Sequence, residues 1–543
     1  MPPLFFFLLR RIFALSFKLA SSFSVDRGPF PVGIPSFSSS KMSTSDQPQA
    51  ASLRQRVASV KRDAPGLVSG KEKAGGDGDG AAPPPSSTSW DLDPAPPLRA
   101  RPLSRVLAGY LTLAVVYSFS LYFAATVGVS MLLADFRKQR RGARSGGGGP
   151  APPASPPPLL PDPESQRDAA VAAEPGIEGI EVSHEFIEVP VYPDEAEEHA
   201  GTAKTTTLHL ARAGIDPSRR AVLFLHGFPE CWLSWRRLMK PLVEAGYEVA
   251  ALDMRGYNLS GKPSGRENAA SPKFLPSSSR VLAAFDVGAL AADARAAAVY
   301  LSGSTGRTVT LVSHDWGGAV AWHAASVDSS AARGGKEEEE ENSSPASTFS
   351  SPASPPRSRR RLFDALVTMA IPHPLLFKAN MGWKQAKRSW YVAFFQSPFF
   401  PEKMMAVSIG SMLPRSNEEE KKEAGELTAA FARPGAATAA INYYRASVRA
   451  IGGGPLSRAG ARAARALRGG VDVPVLCLYA GRDAALGVEL LAGSERFCRA
   501  GVEIEVLDSG HWIQLEKARE CAERTLRFLE RTGGNAARGS LCG

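Results

Sequence analysis

The chain has 543 residues, 44% of them apolar, and 64 Lys plus Arg against 54 Asp plus Glu, a formal charge of +10. That is enough for a sizeable core and more than one domain, and the excess positive charge forms no stripe interleaved with aromatics, so it marks no nucleic-acid partner. Five cysteines without regular spacing exclude a disulfide framework, and eight histidines that never gather with Cys or acids at ligand spacing exclude a metal site.

The N-terminus, MPPLFFFLLRRIFALSFKLASSFSV, is an apolar run broken by basic residues, and it leads into the Ser-rich, acid-poor PSFSSSKMSTSDQPQAASLRQR. Targeting peptides have this composition and are not part of the folded domain. With the Gly/Pro/Ser-rich stretch that follows, residues 1–104 are expected as a targeting and disordered region. From Leu107 to Ala134 no residue is charged. A helix of that length reaches roughly 42 Å, against a hydrocarbon core of about 30 Å, and tilt absorbs the excess. A transmembrane helix is therefore expected over 105–135. The basic FRKQRRGAR behind it favours a C-terminal side facing cytoplasm or stroma. The expected localisation is a single-pass membrane protein, with endoplasmic reticulum or plastid as the compartments.

Residues 136–180, basic and then Pro/Gly-rich, are expected as a flexible linker. From Glu181 the chain becomes strand-rich: EVSHEFIEVPVY, KTTTLHLARA, AVLFLHGFP and YEVAALDMRG. A helix over VGALAADARAAAVYL precedes the strand TVTLVSHD, and later strands lie in FDALVTMAIPHP, VPVLCLYAGRD and VEIEVLDSGHW. Antiparallel-looking strands giving way to alternating strand and helix predict an α/β domain with a mostly parallel central sheet flanked by helices. Its first part is expected over 181–374 and its second over 466–535, with 536–543 as a tail. Residues 327–361, of low complexity, are expected to loop out as a disordered insertion. Residues 375–465, helical in pattern, aromatic and without strands, are expected as a helical lid.

The chemistry is concentrated in a few short stretches. VSHDWGG (Val312 to Gly318) lies between a strand and a small-residue helix, the setting of a nucleophile elbow, but Asp315 occupies the apex where a serine is expected. Asp315 alone would suit a helix cap. However, Asp483 in YAGRDAAL ends the next-to-last strand and His511 in DSGHW follows the last, giving the order nucleophile, acid, histidine. Each falls at the C-terminal end of a strand, where open α/β sheets place their ligands. In FLHGFPE a Gly/Pro turn can aim the Phe228 N–H inward, and with the Trp316 N–H it would form an oxyanion hole. His226 reads as a residue bracing that turn rather than as a base.

Through HGFPECWLSWRRLMKPLVEAGYEVAALDMRGYNLSGKP, SHDWGG, GRD and GHW, from about Glu181 to Gly534, the sequence resembles the epoxide hydrolases of the α/β-hydrolase superfamily. The span followed by such a domain resembles their membrane-anchored animal members. The resemblance explains the aspartate. An epoxide has no carbonyl, so a carboxylate attacks its tetrahedral carbon and supplies, as an ester, the carbonyl that water then attacks. It implies Asp315 as nucleophile, His511 as general base, Asp483 as the group orienting it, and no cofactor. The family's Y-x-x-x-F-Q-x-P and N-x-Y-R patterns place two epoxide-oxygen acids at Tyr391 and Tyr444, with Tyr443 turned elsewhere on its helix. One departure is that Phe399 and Phe400 follow Pro398, where the family usually has glycine. The substrates implied are water and a lipophilic epoxide, opened to a vicinal diol. Two alternatives stay open: a haloalkane or haloacid dehalogenase using the same nucleophile, and an inactive membrane-anchored scaffold. Dehalogenases typically carry a halide-binding Asn where this chain has Phe228, while Trp316 is common to both enzyme classes.

Overall fold

The structure, a computed structural model, describes residues 118, 163–198, 203–263, 279–342 and 361–539. The expected targeting region and, apart from position 118, the expected span at 105–135 lie outside the described residues. Among the described residues no helix is long and apolar enough to cross a membrane.

Eight strands form one sheet: β1 (Ser183–Pro190), β2 (Thr205–Ala213), β3 (Ala221–Leu225), β4 (Glu248–Asp253), β5 (Val309–His314), β6 (Phe363–Met369), β7 (Val475–Ala480) and β8 (Val502–Leu507). Their order is β1-β2-β4-β3-β5-β6-β7-β8. β2 runs antiparallel to both β1 and β4, and every other pair is parallel. β3, β4, β5 and β7 are buried along their whole length, as parallel strands covered on both faces must be. Strand alternation then divides the core in two. In β3, Leu223 and Leu225 face one cluster, and Val222 and Phe224 face the other.

Helices α2 (Arg236–Glu244) and α12 (Ala518–Gly539) cover the second face, and α3 (Val287–Ser302) and α4 (Asp315–Asn342) cover the first. Helix α1 (Pro163–Ala172) precedes the sheet. Between β6 and β7 the chain holds helices joined by short turns: α5 (Pro374–Ala379), α6 (Trp383–Arg388), α7 (Trp390–Phe394), α8 (Phe400–Met412), α9 (Glu418–Phe431), α10 (Ala436–Gly453) and α11 (Arg458–Ala466). α9 is tied to α2 by ion pairs from Arg236 to Glu426 and from Arg237 to Glu423.

Three expectations about boundaries change. The stretch expected to loop out from residue 327 instead continues α4 to Asn342. Its first part is packed: the Asp328 carboxylate accepts the Leu362 N–H and Ser329 Oγ accepts the Asp472 N–H, so these side chains start β6 and lead into β7. The following Glu run is made of good helix formers. Helix α11, expected inside the lid, packs on α3 and α4. Gly288 and Gly460 make that crossing possible, because a Cβ on Gly288 would lie 2.1 Å from the Gly460 nitrogen.

The third change is at the linker, whose C-terminal end belongs to the folded body. Ile177 is buried, and the Glu178 carbonyl accepts a hydrogen bond from Lys240 Nζ. The Glu174 carboxylate accepts bonds from Trp232 Nε1 at 2.7 Å, Asn258 Nδ2 at 3.2 Å and Arg433 Nη2 at 2.8 Å. It thereby joins the segment before the sheet to the turn between α9 and α10. Removing this buried carboxylate leaves the Trp232 indole N–H unpaired and takes one bond each from Asn258 and Arg433, which keep theirs to Asp253 and Asn258. Glu174→Ala is therefore expected to lower the stability of the full chain by roughly 1.5–3 kcal/mol, read as an earlier denaturant midpoint. Glu178→Ala, which leaves the carbonyl contact to Lys240 in place, should change the midpoint little.

Candidate active site

The site is assembled at the C-terminal ends of β3, β5, β7 and β8. Asp315 follows β5 with φ +47°, in the left-handed region that a side chain rarely enters, and opens α4. This sharp reversal is possible because its neighbours lack side chains. A Cβ on Gly227 would lie 2.6 Å from Asp315 Cβ, one on Gly317 would lie 2.1 Å from the Leu225 carbonyl oxygen, and one on Gly318 would lie 2.2 Å from Ile371 Cγ2. The strain of such a turn, of order 1–3 kcal/mol, persists only where the surroundings over-determine it.

Both oxygens of the Asp315 carboxylate meet donors. Oδ1 accepts the Phe228 N–H at 2.9 Å, and Oδ2 lies 3.6 Å from His511 Nε2. On the other side of the imidazole, His511 Nδ1 donates to Asp483 Oδ2 at 2.7 Å. Asp483 is itself held by the Ala485 and Leu486 N–H groups on Oδ1, at 2.7 and 2.8 Å. Asp315, His511 and Asp483, remote in sequence, thus form one chain of contacts. Burial works against charge on His511, but the Asp483 and Asp315 carboxylates outweigh it and hold the imidazole well above its ordinary range. For Asp315 burial likewise opposes ionisation, and His511, His314 and the Phe228 N–H hold its carboxyl below the usual range.

Two phenols from the inserted helices complete the site. Tyr391 lies on α7 and Tyr444 on α10, with ring centroids 5.8 Å apart and nearly perpendicular. Tyr444 also meets the rings of Phe228 at 5.3 Å and Trp316 at 5.1 Å, the two residues expected to supply the oxyanion hole. Burial, and then the negative charge of Asp315 among other groups, push both phenols upward, so they stay protonated donors at neutral pH. Tyr443 faces away from this pair, and its hydroxyl donates to the Arg255 carbonyl at 2.7 Å. His226 braces the turn after β3: its Nδ1 meets the Gly227 carbonyl at 2.8 Å and its Nε2 accepts the Met254 N–H at 3.0 Å. The Trp316 residue contributes its indole ring to the Tyr444 contact as well as following Asp315 in the chain.

Sequence reasoning missed a buried layer beneath these groups. Glu230 Oε2 accepts the Gly227 N–H at 2.9 Å and lies 3.2 Å from His314 Nδ1, while Oε1 accepts from Gln514 Nε2 at 2.5 Å. His314 Nε2 donates to the His511 carbonyl at 2.9 Å. The turn carrying Phe228, the strand end carrying Asp315 and the loop carrying His511 are therefore joined through one carboxylate. Burial opposes the Glu230 charge, yet His314 and the Gly227 N–H outweigh it and lower its pKa. The available signal was proximity alone, since each of the three lies within three residues of a motif position.

Because Asp483 leads the groups that raise His511, Asp483→Asn is expected to lower the pH at which this imidazole gives up its proton. Nitrogen-15 NMR titration of the His511 ring checks it, and an unmoved titration midpoint would remove Asp483 as the cause.

Residues 222–524 match the Alpha/beta hydrolase family. The chain is 30% identical over 333 residues to AB hydrolase superfamily protein YfhM of Bacillus subtilis (strain 168), covering 60% of this chain and 94% of that protein. It is 26% identical over 344 residues to Epoxide hydrolase 1 of Caenorhabditis elegans, covering 60% of this chain and 69% of that one. A solved structure, Epoxide Hydrolase A from Mycobacterium thermoresistibile, superposes with a TM-score of 0.44 at 20% identity, covering 64% of this chain and 98% of the other. From the family match over more than half its length, and from its likeness to YfhM over nearly all of that protein, the chain belongs to the alpha/beta hydrolase family and resembles its epoxide hydrolases.

Proposed function

We propose that the protein is a cofactor-independent epoxide hydrolase that forms an ester on Asp315 and releases a vicinal diol. One observation carries this reading: a carboxylate stands at the elbow with His511 on one oxygen and the Phe228 N–H on the other, and the phenol of Tyr444, paired with that of Tyr391, packs against Phe228 and Trp316 beside it. Asp315 attacks an epoxide carbon and the carbon–oxygen bond breaks. The departing oxygen takes a proton from the Tyr391–Tyr444 pair. Water then adds to the ester carbonyl as His511 Nε2 takes its proton, with Asp483 fixing the Nδ1–H tautomer. The Phe228 N–H, with that of Trp316, stabilises the tetrahedral oxyanion. On collapse the bond between the Asp315 carbonyl carbon and the substrate oxygen breaks, that oxygen takes the proton of the water-derived hydroxyl, and the diol leaves an ionised Asp315. The proton taken by His511 replaces the one the phenols gave up, so epoxide plus water balances diol.

The phenols favour an epoxide over a halide, because a halide leaves without a proton whereas an opening epoxide needs one. We further propose that the uncharged run 107–134 anchors the enzyme in a membrane and that helices α5–α10 act as a lid. Both fit a lipophilic substrate drawn from a bilayer.

The test is turnover of the full chain with lipophilic epoxides and a chloroalkane in parallel. Asp315→Ala should abolish diol formation, and Tyr391→Phe should slow it by about 10²-fold, the low end for loss of an acid. Chloride release without diol would make the protein a dehalogenase, and turnover of neither substrate would favour an inactive scaffold.

A further inference from the structure

We infer that Arg445 is a positioning residue that fixes the spacing of the Tyr391 and Tyr444 phenols, an inference that rests on reading those phenols as the ring-opening acids. Arg445 follows Tyr444 on α10 and is buried, at 3% exposure. Its guanidinium crosses to the end of the helix that carries Tyr391. Nε donates to the Phe395 carbonyl at 3.0 Å and Nη2 to the Ser397 carbonyl at 2.6 Å. Nη1 donates to Glu402 Oε1 at 2.7 Å and reaches Asn442 Oδ1 at 3.5 Å.

The arrangement has a physical reason. Helix α7 has five residues, too few to hold its own shape. Its own carbonyls are met by the N–H groups of Phe395, Gln396 and Ser397 and by the Gln396 side chain, but the turn that follows leaves the Phe395 and Ser397 carbonyls for a side chain from elsewhere to satisfy. Arg445 does so from the neighbouring residue of Tyr444, so the two tyrosine-bearing helices share one set of bonds. Gln396 adds a second tie, with Nε2 donating to the Val392 carbonyl at 3.0 Å and to the Tyr444 carbonyl at 3.5 Å. Phe395, whose N–H bonds to the Tyr391 carbonyl at 2.8 Å, sets its ring against both phenols, 5.7 Å from Tyr391 and 4.9 Å from Tyr444.

Beyond Ser397 the chain makes a γ-turn. Phe399 has φ +61° and the Phe400 N–H donates to the Pro398 carbonyl at 2.7 Å, a strained conformation for a residue with a side chain. This turn returns Glu402 to Arg445, where its carboxylate balances the buried cation. The planar guanidinium supplies several donors in fixed directions, which a lysine ammonium cannot reproduce. The bonds of Arg445 end on the tyrosine-bearing segments, so it acts on the step that uses the phenols and not on the step that uses His511.

Single-turnover kinetics of the full chain with a lipophilic epoxide separate the steps, following the ester on Asp315 by rapid quench and mass spectrometry. In Arg445→Gln and Arg445→Lys, ester formation is expected to slow by about 10- to 100-fold, the cost of an ångström-scale misplacement. Ester hydrolysis should stay within about twofold of the unmodified chain. Glu402→Gln, a milder change, should shift formation in the same direction and keeps the test in hand if an arginine variant fails to fold. Formation unaffected in the variants, or both steps falling together, would overturn the inference. An unmodified chain that forms no ester would instead overturn the reading of Asp315 and the phenols on which it stands.

Discussion

The whole site depends on one constraint, a carboxylate buried at the end of β5 on a backbone that is itself strained. Asp315 can occupy this position only if three glycines clear the space around it, and it can stay ionised only if donors replace the water it has lost. Those donors come from the turn after β3 and the loop after β8. Each must be rigid, because a misplaced donor leaves a buried charge unpaired. The Glu230–His314–Gln514 layer supplies that rigidity by bonding the same turn, strand end and loop from below. The parallel sheet explains why the arrangement can exist at all, since it delivers the C-terminal ends of neighbouring strands side by side.

Those parts of the site that follow strands could be read from the sequence. Asp315, Asp483 and His511 each end or follow an apolar run bounded by glycine, and such punctuation locates strand ends without a structure. The sheet itself could be read for the same reason, down to its antiparallel beginning. Glu230, His314 and Gln514 could not, because their significance lies in the convergence of three distant segments and no local pattern records it. Helix α11 was misplaced for a similar reason. Its Ala, Gly and Arg composition resembles that of the inserted helices, and only the Gly288–Gly460 crossing shows that it packs on the sheet's own helices. The Glu174 contacts and the helical start of the low-complexity stretch were hidden by composition as well, since a polar or Pro-rich segment gives no sign of a single anchored side chain.

The inserted helices obey a different logic from the sheet. No ladder of strand hydrogen bonds fixes Tyr391, and the helix that carries it is one of the shortest described. Its position is determined by side chains reaching carbonyls, with Arg445 and Gln396 from within the insertion and the ion pairs of α9 with α2 from the body below. Glu174 bears on the same system through Arg433, at the turn that leads into the helix of Tyr444. The segment that precedes the sheet thus touches a turn inside the proposed lid.

The charge of Asp315 governs groups on both sides of it. In the resting site it raises His511, favouring imidazolium, and raises the two phenols, disfavouring loss of their protons. On the proposed mechanism, attack on the epoxide consumes that charge as the ester forms. The phenols then become better acids as the departing oxygen needs a proton. His511, supported by Asp483 alone, gives up its proton more readily to the phenolate that ring opening leaves, and becomes free to take one from water. A serine at the elbow, neutral in the resting state, would bring no such change in field. On that mechanism an aspartate there would do more than supply a carbonyl, because its neutralisation would retune the acid and the base in the order in which the reaction uses them.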